Sequence, residues 1–139
     1  MRMGFTLLEQ LVVLVVMMIF LTLAGARMLS ALDKTAVRNA RIQLVSTLGA
    51  ARSSAQSRAE RVSVAMDSSA GLLRMLAGAD TLLVRSLRTE LGVAFSASRD
   101  TVTYGASGRG YGATNSTIVL RRGAAAETVF VARLGRARW

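Results

Sequence analysis

Apolar residues fill the amino-terminal part of the chain almost without interruption. From residue 5 to residue 26 the only charged side chain is that of Glu9. A helix of this length extends about 33 Å, which is enough to cross a hydrocarbon layer of about 30 Å. Strands rarely run so long. The pattern therefore predicts one membrane-spanning helix over residues 5–26.

The hydrophobic period becomes three to four residues further along the chain. This spacing predicts a helix with one apolar face, which would pack against a core. No proline interrupts it, so the first helix is expected to continue through residues 27–60 and to end near Ala59. The apolar stripe consists of Val45, Leu48, Ala51, Ala55, Ala59 and Val62. The arginines that lie mostly off this stripe are Arg38, Arg41, Arg52 and Arg58.

Alternation with a period of two dominates residues 61–139, which predicts short strands. Turn signals separate these strands at residues 67–71, 77–80, 98–100 and 105–112. The expected fold is therefore α+β, with a long N-terminal helix packed on a small antiparallel β-rich head. The alternating sets are Val62/Val64/Met66, Leu72/Arg74/Leu76, Val93/Phe95, Thr101/Thr103, Ile118/Leu120 and Val129/Val131.

Composition argues against an enzyme. The 139 residues suit one small domain, and histidine and cysteine are absent. A serine-type triad, a thiol nucleophile, a zinc finger and an iron–sulfur cluster are thereby excluded. The carboxylates of the head are scattered, so neither a metal site nor an acid–base pair is expected, and no cofactor is implied. They include Asp67, Asp80, Glu90 and Asp100.

The glycine-rich segment 105–112 is expected to be a loop. A phosphate-binding loop would need a helix after it and usually a lysine, and neither is indicated here.

The net positive charge of the chain has two interpretations. The chain carries 18 basic and 8 acidic residues, for a net charge of +10, and every basic residue except Lys34 is arginine. An acidic partner such as nucleic acid, anionic lipid or an acidic protein would suit this balance. A GC-rich coding sequence would also favour arginine over lysine.

The last residues concentrate the positive charge. In an extended chain Arg136 and Arg138 lie on one face about 7 Å apart, with Trp139 on the other. Paired guanidinium groups suit phosphate, and an indole can stack on a base. With Arg121 and Arg122, these residues form a candidate DNA or anion contact. A solvated strand end is the alternative.

Glu9 requires an explanation, because a carboxylate inside a bilayer costs on the order of 3 kcal/mol. The sequence that contains it and precedes the apolar run is Gly4-Phe5-Thr6-Leu7-Leu8-Glu9. This sequence resembles the prepilin signal of type IV pilins and type II secretion pseudopilins. The resemblance implies that a prepilin peptidase cuts between Gly4 and Phe5 and that Phe5 is N-methylated. It also implies that Glu9 pairs with the Phe5 amine of a neighbouring subunit during filament assembly. Many pilins carry proline near position 26, where this chain has Ala26.

Two further segments, 45–66 and 115–138, resemble the GspH/FimT group of minor pseudopilins and minor pilins. No such resemblance is found for residues 67–114. The group implies a leader at 1–4, a transmembrane helix at 5–26, a helix continuing over 27–60 and a periplasmic head at 61–139. Such a chain crosses the bacterial inner membrane once.

The function implied by this resemblance is a structural minor pseudopilin of a type II secretion pseudopilus. The alternative is a minor type IV pilin that binds DNA for natural transformation through a basic C-terminal face. A third hypothesis is a signal-anchored monomer without a filament role. Expected partners are the prepilin peptidase, other pseudopilins or pilins, the inner membrane and, in the alternative, DNA.

Overall fold

The computed structural model of the protein describes residues 6–112 and 114–139. The predicted peptidase site at Gly4 and Phe5 lies outside the described residues. The chain divides into two compact units, Met1–Leu32 and Asp33–Trp139.

Helix α1 (Leu7–Arg58) is one unbroken helix of 52 residues, which confirms the predicted continuity from the apolar segment into the head. The helix ends at Arg58, next to the predicted end near Ala59, because Ala59 has a φ of 52°. Val62 belongs to the first strand, as its alternating set predicts, and not to the helical stripe. The buried stripe of the helix therefore ends at Ala55.

In the first unit the described apolar side chains of α1 are exposed. Those between Leu7 and Leu21 include leucine, valine, methionine and phenylalanine. By length and composition, this is the one described helix that is able to cross a membrane. Exposure on this scale calls for lipid or other helices as its surroundings.

The second unit contains two antiparallel sheets of four strands each, with orders β3-β2-β1-β5 and β4-β6-β7-β8. The short helix α2 (Leu87–Leu91) joins them. The strands are β1 (Val62–Asp67), β2 (Leu72–Ala77), β3 (Asp80–Ser86), β4 (Ala94–Ala97), β5 (Thr101–Tyr104), β6 (Ser116–Arg122), β7 (Ala125–Val131) and β8 (Ala137–Arg138).

All six predicted strands are present, but the buried face differs from the predicted alternating set in two of them. In β2 the buried residues are Leu73, Met75 and Ala77, and the set Leu72/Arg74/Leu76 lies on the opposite face. In β5 Val102 and Tyr104 are buried instead of the threonines. Val93 is buried just before β4 begins. The sequence patterns missed β3, α2 and β8.

One core joins the helix to both sheets. Every described buried side chain of the core lies between Ala36 and Val131, so the second unit contains its own hydrophobic core. The largest fully buried side chains are Tyr104, Leu44, Leu48, Leu73, Leu87, Ile118 and Leu120. The fold is α+β, with α1 packed on an antiparallel β head, as predicted.

Candidate functional site

The loop between β7 and β8 fixes the backbone just before the terminal arginines. Within it, the N–H of Gly135 donates to the carbonyl of Ala132 at 2.7 Å, and the N–H of Ala132 donates to the carbonyl of Arg136 at 2.8 Å. Gly135 has a φ of 80°, and a Cβ built there would lie 2.5 Å from the ring of Tyr104. Only glycine fits this position without strain.

Tyr104, on strand β5, holds this loop in place through a buried hydrogen bond. Its buried hydroxyl donates to the carbonyl oxygen of Gly135 at 3.0 Å. Burial raises the pKa of Tyr104 to about 12, partly offset by the nearby positive charge of Arg52. The phenol therefore remains a hydrogen-bond donor at neutral pH.

A cavity of about 350 Å³ lies between this loop and helix α1. Three arginines line it: Arg52 from the helix, and Arg136 and Arg138 from the β7–β8 end. The remaining lining residues are neutral, namely Val45, Leu48, Gly49, Tyr104, Gly135 and Ala137. Three arginines and no carboxylate-bearing residue line this cavity, a composition that suits a phosphate or carboxylate.

Sequence reasoning did not include Arg52 in this group. Arg52 lies far from Arg136 along the chain and belongs to a helix face that the hydrophobic stripe marks only as polar. Packing of α1 against the β7–β8 loop brings it there, and no local sequence signal encodes that neighbour.

Arg122 is placed elsewhere and is already engaged. Its Nε lies 3.0 Å from a carboxylate oxygen of Asp33, and its Nη1 donates to the carbonyl of Leu91 at 2.6 Å. These contacts tie β6 to α1 and to the end of α2. Arg122 therefore has a structural role, since it connects these three elements, and it is called the clamp below.

Arg121 is also separate from the terminal pair. It is exposed on β6, in one cross-strand row with Ala94 and Ala126. Arg138 lies in another row, opposite Phe130, which in turn lies opposite Thr117 of β6. Arg121 and Thr117 are four positions apart on β6, which is about 13 Å along the strand. The structure thus brings Arg136 and Arg138 together but leaves Arg121 and Arg122 apart from them.

The indole ring of Trp139 contacts the guanidinium group of Arg41. The guanidinium carbon of Arg41 lies 5.4 Å from the centre of the indole ring, and the Nε of Arg41 lies 3.2 Å from a carboxylate oxygen of Glu127. This contact fastens the residue after β8 to helix α1. Arg41 therefore competes with a nucleic-acid base for stacking on this ring.

Glu9 lies in the first turn of α1, and its side chain is exposed. Its backbone N–H donates to the hydroxyl of Thr6 at 3.3 Å. The ion pairs seen among residues 6–112 and 114–139 involve Asp33, Glu60 and Glu127 and do not involve Glu9.

The glycine-rich segment 105–112 is a loop that returns the chain to β5, as predicted. The N–H of Tyr111 donates to the carbonyl of Thr103 at 2.8 Å, and β6 follows the segment. In the part of the chain that the structure describes, no cluster of three or more metal-ligating side chains is found.

A long helix that begins apolar and exposed, and then packs on an antiparallel β head, is the architecture of a pilin-like protein. The sequence matches the family described as type II transport protein GspH over residues 40–135. This is more than half of the chain, and the chain therefore belongs to the GspH family. The match spans residues 67–114, where the sequence motifs carried no resemblance.

Solved structures support the same fold. A crystal structure of the type IV minor pilin FimU of Pseudomonas aeruginosa, strain PAO1, is 19% identical, with a TM-score of 0.62 over 73% of this chain and 86% of that one. A second crystal form of FimU gives a TM-score of 0.58 at 19% identity over 76% and 90% of the two chains. No curated protein sequence matches the chain. This family and fold belong to structural pilin and pseudopilin subunits, which assemble with other such subunits.

Proposed function

We propose that this chain is a structural minor pseudopilin of a type II secretion pseudopilus. Residues 5–26 anchor it in the bacterial inner membrane, with the head in the periplasm. One observation carries the proposal: a single helix starts with exposed apolar side chains and ends in the core of a GspH-family head.

Assembly follows from the chemistry of the first unit. After removal of residues 1–4, the amine of Phe5 becomes the new amino terminus. The carboxylate of Glu9 in one subunit pairs with that amine in the next, which neutralises both charges in an apolar environment. The pair also sets the axial offset between neighbouring helices.

Deletion of the gene in its bacterial host tests this function. In the deletion strain we expect proteins secreted by the type II route to accumulate in the periplasm. In the parent strain we expect the chain to appear with other pseudopilins in sheared filament fractions. Complementation with the full-length gene is the control. Normal secretion in the deletion strain, together with absence of the chain from the filaments of the parent strain, would exclude the proposed function.

A second candidate function is DNA capture by a minor type IV pilin. It is favoured by the cavity lined by Arg52, Arg136 and Arg138, because three arginines with no acidic residue in the lining suit phosphate. The head unit at residues 33–139 contains its own core and is suitable for a binding assay. Fluorescence anisotropy with duplex DNA at two salt concentrations tests it, and transformation frequency in the deletion strain tests it in cells.

A further inference from the structure

A further surface of the second unit lies next to the arginine cavity and shares Gly135 and Arg136 with it. It is made of the glycine-rich loop, residues 105–112, and the β7–β8 loop, residues 132–136, and is called the two-loop surface below. The N–H of Gly110 donates to the carbonyl of Leu134 at 3.1 Å, and the hydroxyl of Thr114 donates to the carbonyl of Arg133 at 2.6 Å. These bonds hold the two loops together, so the surface is formed before any partner binds.

The exposed side chains of this surface are typical of a protein interface. Leu134 is 63% exposed and Tyr111 is 50% exposed. A hollow of about 660 Å³ lies beside Leu134 and Arg133. The guanidinium carbon of Arg61 lies 3.9 Å from the centre of the Tyr111 ring. Tyrosine and arginine are among the residues that most often anchor protein–protein contacts.

The charge of the surface has one sign. Arg109 and Arg133 are exposed on the two loops, and neither loop contains an acidic residue. Glu60, next to Arg61 in the chain, lies 3.5 Å from Arg58 and is thus already paired. A partner with exposed carboxylates around an apolar centre is complementary to this arrangement.

We infer that the two-loop surface docks the acidic, partly apolar surface of another pilin-like subunit. This inference rests on the proposed assembly function. Nucleic acid fits less well, because Leu134 offers it no favourable contact and Arg61 covers one face of the Tyr111 ring. A guanidinium group stacked on a ring still presents its N–H edge to a carboxylate.

Photo-crosslinking of the full chain in its host tests the inference. A photoreactive benzoylphenylalanine replaces Leu134 in one strain and Val84 on β3 in the control strain, since Val84 is aliphatic and 52% exposed. We expect the Leu134 position to give a covalent product with another pilin-like subunit, joined within a peptide rich in Asp and Glu. The product at the Val84 position should be about tenfold weaker.

Charge reversal makes the test specific. Arg109→Glu with Arg133→Glu should lower the Leu134 product about tenfold, whereas Arg38→Glu with Arg88→Glu, at exposed sites elsewhere, should leave it unchanged. Equal products at Leu134 and Val84, a product with DNA or lipid, or indifference to charge reversal would overturn the inference. Absence of the chain from sheared filaments would overturn the proposed function as well. Presence in filaments without the Leu134 product would overturn the docking inference alone.

Discussion

The hydroxyl of Tyr104 donates a hydrogen bond to the carbonyl oxygen of Gly135 across 3.0 Å, and the ring of Tyr104 fills the space where any other residue at 135 would place its Cβ. The two residues thus fix the backbone just before Arg136 and strand β8, which contains Arg138. The candidate anion site depends on this buried contact.

Gly135→Ala should destabilise the head more than Gly112→Ala. Both glycines have a positive φ, but a Cβ at Gly112 meets no atom within 4 Å, whereas one at Gly135 meets the Tyr104 ring at 2.5 Å. The strained φ alone should cost about 1 kcal/mol in each variant. Urea unfolding of the head measures the difference. Equal losses in the two variants would show that the ring contact is unimportant.

Tyr104 should make the stability of the head depend on alkaline pH. Burial raises its pKa from 10.0 to about 12, so the folded state favours the protonated phenol. The stabilisation is complete below the unfolded value of 10.0 and is lost as the pH rises through the folded value near 12. Thermal unfolding of wild type and Tyr104→Phe across this range checks it. Tyr104→Phe should lack this component, and identical pH profiles would contradict the assignment.

Processing should depend on the size of residue 4. Gly4→Ala should be cut almost normally, whereas Gly4→Leu should retain the leader, because the peptidase must admit this residue beside the scissile bond. Mass spectrometry of the protein from membranes measures both outcomes, with an added methyl mass expected on Phe5. An intact Met1 in the wild-type protein, in cells with an active peptidase, would refute the predicted cleavage.

Glu9→Leu should insert into the membrane as well as wild type, since the substitution removes a charge from the bilayer. It should nevertheless fail to co-assemble, because the Phe5 amine of the neighbouring subunit loses its counter-charge. Membrane fractionation and recovery in sheared filaments separate the two effects. Glu9→Asp serves as the charge-conserving control. Wild-type recovery of Glu9→Leu in filaments would count against the pairing.

DNA capture, the second candidate function, should depend on the cavity arginines Arg52, Arg136 and Arg138 and should not depend on Arg122. Arg136→Ala with Arg138→Ala should weaken binding and reduce the salt dependence by about two counterions, and Arg52→Ala by about one more. Arg122→Ala should leave the salt slope unchanged and lower stability by about 1–2 kcal/mol, through loss of its contacts to Asp33 and Leu91. Fluorescence anisotropy and urea unfolding distinguish these results. A reduced salt slope in Arg122→Ala would mean that the clamp also contacts phosphate.

Alternation made six strands predictable, and it gave the buried face correctly in four of them. In β2 and β5 it did not, because apolar residues lie on both faces of β2 and threonines alternate with the buried residues of β5. Strand β3 lacks that signal: Leu82, Leu83 and Val84 form one apolar run. Helix α2 is too short for a helical period. Its local marks are its two caps: Ser86, whose hydroxyl accepts from the N–H of Thr89 at 3.1 Å, and Gly92, which ends the helix with a φ of 64°.

The candidate site was only partly predictable for a similar reason. Sequence adjacency placed Arg136 with Arg138, and the structure keeps them together at the cavity. It also suggested that Arg121 and Arg122 belong to the same group. Alternation along β6 turns Arg121 outward, and Arg122 pairs with Asp33, which is distant in sequence. Such a partner follows from the packing of α1 on the second sheet, which no local pattern specifies.

The three residues between α1 and β1 have a mechanical consequence. β1 is an inner strand, hydrogen-bonded to β2 on one side and to β5 on the other. Because Ala59 ends the helix and Val62 begins the strand, tension carried along α1 enters the head at an inner strand rather than at an edge strand. Pulling α1 away from the head therefore requires its packing in the core to be lost and the ladders on both sides of β1 to shear together. A subunit built in this way transmits an axial force through its helix without its sheet opening strand by strand from the edge.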